Sequence, residues 1–285
     1  MSDNNLINYC LDKNHIRIDY TTLTPRFSVT NNDSLNDGIT HLNEHENIPG
    51  RHIQRHDSTT WSNNWPGNTQ FGIINECGIG QSDFKWNVRS NRNIKRIYSH
   101  IWNTNELLVS FDGCGIFRFI ALTDHNETTG GLIVFPHTHL RFSELNDLAH
   151  RGNAIGKFIH CQSDDPVLWD FRLVHCNSCA FVSDERLKNQ SIDFLRIVAY
   201  VSMSPTTFIS NQTLDQFQKK RKLLAQNNCT LTHWSTELTE ASSTFNLPKI
   251  SLEKLDAYQR ALLKMNKTIL MIYVSIDDYH LLFFF

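Results

Sequence analysis

Between residues 106 and 203 the chain alternates short apolar runs with polar turns, and few folds accept that rhythm. Runs of about four to eight bulky, β-branched and aromatic residues, bounded by Gly, Asn, Asp and Ser, read as strands too short to be helices. The runs at 117–122, 132–135, 167–174 and 194–203 are of this kind. Helical periodicity brackets them. Ile94, Ile97, Tyr98, Ile101 and Trp102 follow the spacing of an amphipathic helix packed on a core. Thr213-x-x-Gln216 is a capping box opening a helix over 213–226, and another helix is expected over 252–264. The fold class implied is mainly β with flanking α-helices.

Length alone permits two domains, but all-β bodies of 285 residues are common as one, and no Gly/Ser/Pro-rich linker interrupts the chain. We divide it into a polar, Asn- and His-rich arm at 1–54, a body at 55–265 and an apolar tail at 266–285. Trp61 and Trp65 precede Pro66-Gly67, a turn signature that opens the body. A net charge of −2 leaves no nucleic-acid footprint. Lys219-Lys220-Arg221-Lys222, the one basic run, reads as the solvated face of a helix. No apolar signal core follows Met1-Ser2-Asp3-Asn4-Asn5, so an intracellular, cytoplasmic protein with reduced cysteines is expected. Asp277-Asp278 interrupts the apolar tail and is too costly for mid-bilayer. We expect no membrane span there, but a strand packed on the body or an appendage prone to self-association.

The chemistry-bearing residues gather later in the chain. His175 ends the run at 167–174 and leads into Cys176-Asn177-Ser178, while Arg196 opens the next run. A zinc site from His175, Cys176 and Cys179 with His160 and Cys161 is disfavoured, because adjacent residues of an extended segment point to opposite faces. A lone strand-end histidine is ordinarily structural, but its context supplies a second reading. Three motifs occur in order: Gly130-Gly131-Leu132-Ile133-Val134-Phe135-Pro136-His137-Thr138-His139, then Trp169-Asp170-x-Arg172-x-x-His175, then Arg196-Ile197-Val198-Ala199-Tyr200-Val201. Upstream lie the segments 80–89 and 101–113, and downstream Thr232-His233-Trp234. Together, over roughly residues 55–262, these resemble the phytanoyl-CoA dioxygenase family of iron(II)/2-oxoglutarate oxygenases.

The resemblance implies a double-stranded β-helix, the cupin-like jelly roll, with Fe(II) and 2-oxoglutarate as cofactors and a small organic molecule as substrate. In such enzymes two histidines and one carboxylate hold the iron. His175 matches the distal histidine. Arg196 matches the arginine that meets the far carboxylate of 2-oxoglutarate, with Arg186 as the alternative. The other two ligands form a His-x-Asp or His-x-Glu pair upstream, but here Ser110-Phe111-Asp112-Gly113 reaches Thr129-Gly130-Gly131 with too little chain between for the segment that carries it.

His125-Asn126-Glu127 is the one triplet of that form. On a strand, His125 and Glu127 would share a side and both face a metal. Alternatively, 123–130 is the polar turn between two strands, which is what the family resemblance implies. Two functions follow: an oxygenase, or a catalytically inactive jelly-roll binding or remnant protein, with neither nucleic acid nor membrane as partner. Without the pair, the jelly roll is expected to be incomplete near 113–131, with His175 more open to solvent than a working metal site tolerates.

Overall fold

A computed structural model of the chain describes residues 53–54, 57–60, 73–115, 124–144, 155–163, 165–170, 172–178, 196–239, 247–263 and 283–284. Strand β1 (Ile73–Ile74) is followed by a 3-10 turn and two helices, α1 (Asp83–Arg89) and α2 (Arg92–Trp102). Each helix opens on a polar cap: the Ser82 hydroxyl accepts from the Lys85 amide, and the Asn91 side chain from the Asn93 amide. The predicted apolar stripe of α2 faces inward as far as Ile101, with Ile94 and Ile97 buried and the Tyr98 hydroxyl donating to the Val201 carbonyl at 2.8 Å, while Trp102 at its end is exposed.

Seven short strands come next: β2 (Leu107–Val109), β3 (Cys114–Gly115), β4 (Leu132–Val134), β5 (Lys157–Ile159), β6 (Leu168–Trp169), β7 (His175–Asn177) and β8 (Val198–Ala199). After them come β9 (Met203–Pro205), α3 (Leu214–Gln226), α4 (Ala257–Leu262) and β10 (Phe283–Phe284). The sheets are small, and strands distant in sequence meet in them. β3 lies between β1 and β8, β4 lies between β5 and β7, and β2 pairs with β9, all antiparallel. β10 pairs in parallel with β6, so the end of the tail docks as a strand.

The described residues thus form several small sheets flanked by a few helices, and no barrel closes among them. Two cores hold it together. The larger gathers α1, α2, β2, β9, α3 and the 252–263 segment around Phe84, Trp86, Phe111 and Met203. The smaller lies under β4 and β5 and comprises Leu132, Val134, Ile159, Cys161, Val167 and Leu173. Among the described residues no helix is long and apolar enough to cross a membrane.

Four local expectations are corrected. The run at 167–174 is not one strand: the Asp170 carboxylate accepts from the Arg172 amide at 2.9 Å and the Asp170 carbonyl from the Leu173 amide, a turn that ends β6 and makes His175 the first residue of β7. The run at 194–203 breaks after β8. There Lys85 Nζ takes the Tyr200 carbonyl at 2.5 Å, and pairing passes from β3 to β2 through Ser110 and Ser202. The expected helix over 252–264 is split, because Asp256 caps a new helix after the 3-10 turn Leu252–Lys254. The helix over 213–226 forms with both bonds of its capping box, but Arg221 in its basic run is fully buried.

Arg221 belongs to a buried charged group. Lys85 and Arg89 of α1 converge on residues 112–113: Lys85 donates to the Gly113 carbonyl at 2.6 Å, and Arg89 to the Asp112 carbonyl at 2.7 Å. The Asp112 carboxylate lies 3.7 Å from Lys85 and 3.5 Å from Arg89. Burial pushes Lys85 down to about 8, against the opposing pull of Asp112. The 1–54 arm lies almost wholly outside the described residues, but Ile53 near its end is buried.

Candidate functional site

The sheet β5-β4-β7 sets the geometry of the site. Its register aligns Leu132 with Ile159 and Asn177, and Val134 with Lys157 and His175. Residues directly opposite one another in an antiparallel sheet point to the same side, as do residues two apart along a strand. His175 and Asn177 therefore share the face that buries Leu132, Val134 and Ile159, while Cys176 projects from the other face and is exposed.

His175 is half-buried, with its ring edge against Trp169 at 5.5 Å between centroids. Its Nδ1–H donates to the Leu173 carbonyl at 2.7 Å, which leaves the lone pair of the neutral ring on Nε2. A backbone carbonyl orients metal-binding histidines in the same way. Arg196 is fully buried, and its Nη2 donates to Asn177 Oδ1 at 3.0 Å. The structure thus brings His175 and Arg196 to one face of one sheet, joined through Asn177. Sequence reading missed Asn177, though its place two residues after His175 was the available signal.

His125 lies at the other end of this face. Its amide donates to the Cys161 carbonyl at 2.8 Å, and Cys161 returns the bond at 3.2 Å, which pairs His125 with the residue two beyond the end of β5. The ring is 3% exposed. Burial, reinforced by the nearby Arg196 charge, pushes its pKa down to about 3 and keeps it neutral. Burial likewise pushes the Cys161 thiol up to about 12, with Arg196 opposing. Arg196, bonded to Asn177, therefore also acts electrostatically on Cys161 and His125. His139, also buried, stands within electrostatic reach of Asp170, and burial holds its pKa below the usual histidine value.

Glu127 does not join His125. Asn126 to Gly130 close a tight hairpin, with the Thr129 amide donating to the Asn126 carbonyl, so alternation breaks after His125 and the polar-turn reading describes this segment. The Glu127 side chain is 62% exposed and pairs with the equally open His160 at 2.7 Å. Register places His125 about four residues from His175 along the strand direction, on the order of 13 Å. Among the described residues no three His, Cys, Asp or Glu side chains converge where one ion would reach them all. His175, His125 and Glu127 therefore do not fit an Fe(II) site. Arg186 and Cys179 lie outside the described residues.

Comparisons with models of known protein families, with curated proteins and with solved structures return no match. A surface cavity of about 420 Å³ between the 208–212 segment and the 236–239 segment is lined by Lys220 of the basic run but by neither His125, His175, Asn177 nor Arg196.

Proposed function

We propose that the chain is a phytanoyl-CoA dioxygenase-like protein that keeps the carboxylate-recognising part of the site without the metal-holding part. It binds a small carboxylate of the 2-oxoglutarate type and does not oxidise a substrate. The observation that carries this reading is Arg196: a fully buried guanidinium, oriented by Asn177, on the face that also bears His175. A planar fork of donors in a low-dielectric setting is the group best suited to a carboxylate. A double-stranded β-helix is the fold proposed for the whole body. It is supported by antiparallel sheets in which β8 returns beside β3 and β7 beside β4.

The same residues in an active oxygenase would use iron to supply the oxygen chemistry, and this chain's part would be to orient 2-oxoglutarate and exclude water. The outward Glu127 and its pairing with His160 favour the non-catalytic reading over that one.

Thermal unfolding separates the two. 2-Oxoglutarate without metal is expected to stabilise the protein, and Arg196→Lys, which keeps the charge and loses the fork, is expected to abolish the effect. Fe(II) or Mn(II) alone should give no shift. Stabilisation approaching about 2.7 kcal/mol at a hundred times the metal's Kd, with succinate formed from 2-oxoglutarate, would establish the oxygenase instead.

A further inference from the structure

His125 is the buried group on this face whose role is unexplained. Its backbone is committed to Cys161, its ring is 3% exposed, and neither ring nitrogen has a hydrogen-bond partner among the described residues. Buried polar atoms are nearly always paired, because leaving one unpaired costs as much as a lost hydrogen bond. An imidazole with two unpaired nitrogens is therefore an arrangement awaiting a partner. The groups facing it limit what that partner is. Arg196 supplies a positive charge nearby, Asp124 is the neighbouring acid, and Cys161 offers a thiol that burial keeps protonated. The missing partner is an acceptor that tolerates, and is attracted by, the guanidinium.

We propose that His125 is a second recognition residue of the Arg196 site, its ring N–H donating to the carboxylate oxygen that the guanidinium leaves unheld. The inference rests on the carboxylate-binding reading above. It adds that recognition is shared between a cation and a neutral donor on the same face of the β5-β4-β7 sheet. It also gives His125 a task that needs neither a metal nor Glu127.

Calorimetric titration with 2-oxoglutarate on the full chain tests this, alongside ring ¹⁵N shifts of labelled histidine, with the His125 signal assigned by its loss in His125→Phe. The expected result is binding to wild type, affinity about tenfold or more weaker in His125→Phe, and partial recovery in His125→Gln, which restores an N–H donor. The His125 ring signal of wild type should move as ligand is added. This readout decides the matter even if the variants fold poorly. If wild type binds, Arg196→Lys does not, and His125→Phe binds as tightly as wild type with an unmoved ring signal, the role of His125 is overturned and the carboxylate reading stands. If wild type does not bind 2-oxoglutarate, both are overturned.

Discussion

The Arg221 guanidinium lies 3.8 Å from the centroid of the Phe111 ring, inside the larger core, where its two terminal nitrogens donate to the carbonyls of Val109 and Ser235. A residue from the one basic run of the chain thus ties α3 to β2 and stacks on an aromatic ring between them. Arg221→Met would keep some of the packing but orphan two buried carbonyls. We expect a loss of about 3 kcal/mol in the free energy of unfolding. Arg221→Lys should not rescue it, since an ammonium can neither stack flat nor span both carbonyls. Urea denaturation of the three proteins provides the check.

His125 makes stability depend on acid. Its pKa is about 3 in the folded chain against an ordinary value of 6.5, so below pH 6.5 the unfolded chain takes up a proton that the folded one refuses. The contribution is complete above pH 6.5 and is lost progressively as pH falls toward 3, by about 2 kcal/mol at pH 5. His139 and His233 shift in the same direction. The difference between wild type and His125→Phe across pH 5–7 therefore isolates this residue, and equal slopes in the two proteins would count against its burial.

Glu127 should be dispensable. Glu127→Gln removes its pair with His160, but both side chains are largely in water, where such pairs contribute little. The expected outcome is an unchanged unfolding midpoint and unchanged affinity for 2-oxoglutarate. A metal-dependent midpoint that disappears in Glu127→Gln would instead make this carboxylate a ligand.

Gly113 should resist substitution. A Cβ placed there would collide with the Ile74 carbonyl oxygen, and because the obstructing atoms are backbone of Ile74 and Asn75, no side chain can swing away. We expect Gly113→Ala to cost about 3 kcal/mol, read as a lowered denaturation midpoint.

Much of the helical framework was legible in the sequence, because periodicity and capping are local signals. The stripe of α2 from Ile94 to Ile101 and the capping box at Thr213 and Gln216 form as read, though Trp102 is exposed. Strand limits were less legible, because distant partners set them. Nothing in the run 194–203 indicates that Lys85 will take the Tyr200 carbonyl and interrupt it. At 167–174 the signal was present, since an aspartate two residues before an arginine can close a turn with its side chain, but the bulky residues around it outweighed it. Arg221 was misread because charge predicts exposure, and only a tertiary fold supplies an aromatic face and two carbonyls to offset its burial. Within the candidate site, the motifs pointed to His175 and Arg196, and the fold sets both on one sheet face. The Asn177 bridge and the buried ring of His125 depend on which residues face each other across β4 and beyond β5.

The two ends of the stretch between Gly115 and Asp124 are secured to different parts of the molecule. Lys85 and Arg89 hold the Asp112 and Gly113 carbonyls against the larger core, and Cys161 holds the His125 backbone beside the smaller one. Neither attachment depends on how much chain runs between them. A change in the length of this stretch is therefore expected to leave both attachments, and the two cores that they anchor, in place.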